Sequence, residues 1–202
     1  MDKYTIPMVD VCVAFEVMGC TEQIGLIGVE IRKAFPLITK PERFGGLPPH
    51  MTIFTGQVPV WDLQMATARV MAQVLPFSHG ILPVLGRVAL TPTAECVWLR
   101  LLFDRARGKS SFTITGEREL NWRIAKVLGA PDTFTFSLPC HITLIELLHQ
   151  ARRYGNADAL GNWLSQYERD NADLLLQIAQ TMELVPRVYI RIHGGVWMRY
   201  TG

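Results

Sequence analysis

Two short stretches of this chain share one pattern: His50-Met51-Thr52-Ile53 and His141-Ile142-Thr143-Leu144. Each sets an imidazole two residues before a hydroxyl and closes on an apolar residue, and one copy falls in each half of the 202 residues. On a strand alternate side chains share a face, so His and Thr point one way while Met51 or Ile142 points the other. Histidine, with an ordinary pKa of about 6.5, can give or take a proton near neutral pH. A threonine hydroxyl can donate to an oxygen on which negative charge builds. Two imidazoles and two hydroxyls around one centre therefore suit cleavage of a phosphodiester. One histidine acts as base toward water or a ribose hydroxyl, the other as acid toward the departing oxygen, and the hydroxyls meet the nonbridging oxygens. Because the copies are alike, the sequence leaves open which histidine is which.

Convergence requires each pair to lie on a strand, and the strands to face each other. The apolar, β-branched run from Val9 to Val17 predicts a buried strand, and the spacing of Ile24, Leu26, Ile27, Val29 and Ile31 predicts a helix from Thr21 to Ala34. Turn chemistry at Phe44-Gly-Gly-Leu-Pro-Pro49 delivers the chain into a strand from His50 to Thr55. A helix from Trp61 should stop at Leu75, before Pro76, and a strand should run from Ile81 to Leu90. The second half repeats this order. It has a strand from Cys96 to Phe103, a helix capped at Thr115 and running to Leu128, and the second motif on a strand within Phe134 to Leu147. One long helix from Asn156 to about Gln180 and strands at Val185 to Ile192 and Val196 to Tyr200 complete it. The expected fold is α+β, a duplicated two-lobe architecture in which each lobe is a mainly antiparallel sheet with flanking helices around a central cleft. It forms a single domain over 1–202, with pseudo-repeat lobes over about 1–93 and 94–202.

Composition narrows the partners. With 49% apolar residues the chain can bury a sizeable core, and a net charge of +2 gives no broad field for gripping long duplex nucleic acid. A small nucleotide or short oligonucleotide is the expected substrate. Cys12, Cys20, Cys96 and Cys140 form no C-x-x-C pair, which favours reduced thiols. No apolar run approaches the roughly 20 residues of a membrane span, and the first residues carry no signal-peptide pattern, so the expected location is cytoplasmic. Oligomeric state is not encoded in any readable feature. Cys140 adjoins His141, but neighbours on a strand face opposite ways, which argues against a Cys-His nucleophile. His79, His149 and His193 lie outside the pattern, and no zinc motif, G-x-S-x-G or P-loop occurs, so neither metal nor cofactor is expected.

The paired HMTI and HITL tetrads, their strand-helix-strand framing and the chain length resemble the 2H phosphoesterases, the superfamily that includes the bacterial 2'-5' RNA ligase-like proteins. The resemblance spans nearly the whole chain. It implies metal-independent action on 2',3'-cyclic phosphates, 2'-5' linkages, or cyclic and oligonucleotide signals, with His50, Thr52, His141 and Thr143 as catalytic residues. A ligase-like RNA-processing enzyme and a nucleotide-binding module without turnover are the competing readings. Arg43-Phe44 is similar to an Arg-aromatic pair that precedes the first motif in the ligase-like branch. Arg43 there can pair with a phosphate, and Phe44 can stack on a base or plug the core beside Pro48. The loop Arg105-Ala-Arg107-Gly-Lys109 offers a terminal phosphate two guanidiniums, or serves as a solvated turn. The chain departs from the family pattern after the second motif, where Leu144-Ile145-Glu146 replaces a frequent arginine, and at Cys140, where proline is usual.

Overall fold

In the computed structural model the residues described are 7–40, 47–78, 85–103, 114–128, 141–148, 156–192 and 194–201. The chain runs β1 (Met8–Met18), α1 (Thr21–Ala34), β2 (His50–Pro59), a single 3-10 turn (Val60–Asp62), α2 (Leu63–Ser78) and β3 (Leu85–Pro92). It continues with β4 (Cys96–Phe103), α3 (Ile114–Val127), β5 (His141–Glu146), α4 (Asn156–Asp170), α5 (Ala172–Thr181), β6 (Glu183–Arg191) and β7 (Met198–Arg199). The expected strand and helix order is present. Helix α2 passes through Pro76 to Ser78, because a proline in a last turn removes only one ladder bond. The helix expected from Asn156 is two helices. They break at Asn171, whose φ of −120° and ψ of 30° leave the helical region, and whose Nδ2 donates to the Tyr167 carbonyl at 3.0 Å.

Two antiparallel sheets form, one ordered β2-β1-β6-β7 and the other β3-β4-β5. Each half of the chain supplies both sheets. The first two strands of a half pair with each other, β1 with β2 and β4 with β5, while its third strand crosses to the other sheet. Thus β3 lies beside β4, and β6 beside β1. Helices exchange likewise: α1 packs against β5 and α3 against β2, with α2 against β6 and α4 and α5 against β3. The result is the α+β two-lobe fold, its halves interlocked rather than side by side, with a main core including Val13, Phe15, Ile27, Ile53, Leu99, Leu120, Ile142 and Ile178 and a small second cluster of Cys12, Ala14, Leu47 and Tyr189. Gly19, at φ +80°, makes the turn from β1 into α1, where a Cβ would stand 2.2 Å from the Thr181 carbonyl oxygen.

The two motif strands, β2 and β5, are edge strands of their own sheets and contact each other. Both carry a bulge at the same place. Val13 pairs with Phe54 and Ala14 with Thr52, so Ile53 is the extra residue of β2; Val97 pairs with Ile145 and Trp98 with Thr143, so Leu144 is the extra residue of β5. Each extra residue is the fourth of its tetrad. A bulge lets two successive residues face one side, and Ile53-Phe54 and Leu144-Ile145 are both buried while His and Thr stay half-exposed on the other face.

The helix behind each bulge meets it with its eighth residue. On α3 this is Asn121, buried, whose Nδ2 donates to the Ile53 carbonyl at 2.6 Å. On α1 it is Gly28, which approaches so closely that a Cβ would stand 3.4 Å from the Leu144 carbonyl oxygen. Replacing Asn121 with leucine leaves the Ile53 carbonyl buried without this donor, and a loss of about 1–3 kcal/mol is expected. Urea unfolding measures it; a midpoint unchanged from the parent would show that the bulge does not depend on Asn121.

Candidate active site

The bulged edges bring both motifs to one hollow. His50, Thr52, His141 and Thr143 line a pocket of about 80 Å³, closed on one side by Leu47, Pro48 and Pro49. A phosphoryl group reaching this hollow would meet both histidines and both threonines. A larger hollow of about 470 Å³ between α2 and the C-terminal strands contains neither histidine. Arg43, Phe44, Arg105 and Arg107, and the neighbouring Cys140, lie outside the described residues.

The two prolines before β2 set the orientation of His50. Its Nδ1 lies 2.8 Å from the Pro48 carbonyl oxygen, and since a carbonyl only accepts, Nδ1 carries the hydrogen. That leaves Nε2 as the ring nitrogen available for chemistry. Burial holds the His50 imidazole below the ordinary histidine pKa, opposed by the Pro48 hydrogen bond and by the Glu16 carboxylate. His141 is set differently: the Trp98 indole stacks on its ring, centroids 4.0 Å apart and planes 26° from parallel. Behind Thr52, burial pushes the Cys12 thiol up to about 12, a hydrogen bond with Thr52 opposing it. Cys12 is therefore a filler and no nucleophile.

Residues beside the motifs emerge only from register. Glu16 is the cross-strand partner of His50, and Arg100 holds the equivalent position opposite His141. Likewise Ala14 faces Thr52 where Trp98 faces Thr143. Glu16 accepts from the Tyr189 hydroxyl at 2.7 Å and lies 3.5 Å from Arg187 Nε. The Tyr189 ring stands 6.4 Å from that of His50, and its hydroxyl pKa is raised by burial and then by Glu16. The signal for Glu16 and Arg100 in the sequence was a charge inside a largely apolar strand: Arg100 is the one charge of β4, while β1 carries Asp10 as well as Glu16.

No protein-family model matches the chain, and no curated protein matches it. Among solved structures, Usb1 of Kluyveromyces marxianus is similar, with a TM-score of 0.47 and 12% identity over 96% of this chain and 97% of its own. Among the described residues no group of three or more His, Cys, Asp or Glu side chains is placed to hold a metal ion, and no helix is long and apolar enough to cross a membrane.

The burial of His50 has a measurable consequence. Its folded pKa lies below that of the unfolded chain, about 6.5, so the unfolded state binds more protons in the interval between the two values. Stability contributed by neutral His50 is full above about 6.5 and is lost as pH falls through that interval. Proton NMR should show the His50 ring titrating below 6.5, and its His50→Gln variant should lose less stability on acidification. A ring titrating at or above 6.5 contradicts this.

Proposed function

We propose that this protein is a metal-independent phosphodiesterase of the 2H type, acting on a small nucleotide or short oligonucleotide. The observation that carries the reading is a pocket lined by both His-Thr pairs. Neutral His50, its Nδ1 hydrogen engaged by Pro48, takes a proton through Nε2 from water or a ribose hydroxyl. The freed oxygen attacks phosphorus. His141, its ring held against Trp98, gives its proton to the departing oxygen as the ester bond breaks. Thr52 and Thr143 donate to the nonbridging oxygens as charge accumulates there. The different surroundings of the two like motifs support this division of roles.

Replacing His50 or His141 with alanine should lower turnover of a susceptible diester by about 10²–10⁴-fold, with the fold intact by circular dichroism. The substrates to try are 2',3'-cyclic, 2'-5'-linked and cyclic oligonucleotides. Folded variants as active as the parent would remove the reading. The pH profile should be bell-shaped, its acid limb rising as His50 loses its proton below 6.5. Activity should persist in EDTA; loss on chelation with recovery on adding metal contradicts a two-imidazole mechanism.

A further inference from the structure

The two motifs match in sequence, register, bulge and burial, so the places where the mirrored positions differ carry the specificity. The sharpest difference is the residue opposite each histidine: Glu16 beside His50, Arg100 beside His141. The Glu16 carboxylate is already engaged, by the Tyr189 hydroxyl and by Arg187. Arg100 is not matched in this way. The Nε atoms of Arg100 and Arg187 are both buried without a hydrogen-bond partner, but Arg187 has the Glu16 carboxylate at 3.5 Å, whereas no carboxylate lies within ion-pair distance of Arg100 among the described residues.

A guanidinium stays charged at any working pH and offers five N–H donors in a fork that suits a phosphate. A buried donor without an acceptor is costly, and an ordered water or an anion that reaches the guanidinium relieves that cost. Arg100 shares the inner face of its sheet with His141 and Thr143, because directly paired residues point to the same side. An anion held there lies next to the scissile phosphoryl group, on the side of the histidine that protonates the leaving oxygen. Uncharged ribose and base give a guanidinium no comparable partner.

We propose that Arg100 binds a second phosphate of the substrate, carried by the leaving group, so that the preferred substrate is a nucleotide chain with at least one phosphate beyond the bond that is cut. This rests on the phosphodiesterase reading and on the placement of the acid at His141.

The test compares a dinucleoside monophosphate with the same dinucleotide bearing a terminal phosphate on its leaving nucleotide. The parent protein should prefer the phosphorylated form by about 10–100-fold in kcat/KM, the scale of a charge-assisted contact. Arg100→Met should bring that ratio close to one. Arg100→Lys keeps the charge without the fork, and should give an intermediate ratio even if the methionine variant does not fold. Equal cleavage of both substrates by the parent overturns the proposal and leaves the phosphodiesterase reading standing. A preference that survives both substitutions overturns it too, as does cleavage of neither dinucleotide; only failure on the 2',3'-cyclic, 2'-5'-linked and cyclic substrates as well removes the phosphodiesterase reading.

Discussion

The site depends on one local constraint, a single extra residue in each of two edge strands. Without the bulges at Ile53 and Leu144, strict alternation would still bury the residue after each threonine but would turn the next one, Phe54 or Ile145, out onto the face that carries His and Thr. With them, His and Thr stay on the inner face while the following apolar pair locks into the core behind. A bulge also bends its strand, and two bent edges can meet where two straight ones would diverge. The same contact covers edges that would otherwise present unpaired backbone groups. The exchanged helices then hold the bulges from behind, one through the amide of Asn121 and the other through the bare backbone at Gly28.

Duplication gives the frame, and departures from it give direction. Two equivalent imidazoles cannot serve as acid and base at once; their surroundings must separate them. Here the surroundings differ: burial, the Pro48 carbonyl and the Glu16 carboxylate act on His50, and Trp98 lies against His141. The charges stand one strand further out, Glu16 closed into a cluster with Tyr189 and Arg187, Arg100 without a carboxylate among the described residues.

Local pattern made much of this visible in the sequence. The strands β1 and β4 and the helix α1 follow from apolar runs and helical spacing, which depend only on neighbouring residues. The His-Thr pairs were legible because a repeated pattern of reactive side chains stands out in any context. What escaped depends on distant partners. The crossing of β3 and β6 between sheets is a choice of pairing that no local spacing records. Neither does local spacing record the register that sets Glu16 against His50 and Arg100 against His141. The break at Asn171 was missed because the helical pattern continues through it, while its side chain takes the Tyr167 carbonyl.

The central claim is that both His-Thr pairs act on one phosphoryl group, and the structure of the protein with orthovanadate bound tests it most directly. Vanadate adopts the five-coordinate geometry of phosphoryl transfer, and the pocket that would receive it is lined by both pairs. The account predicts one vanadate in that pocket, within hydrogen-bond distance of His50 Nε2, the His141 ring, and the hydroxyls of Thr52 and Thr143 together. A vanadate held by one pair alone, or bound elsewhere with this pocket holding only water, would contradict it.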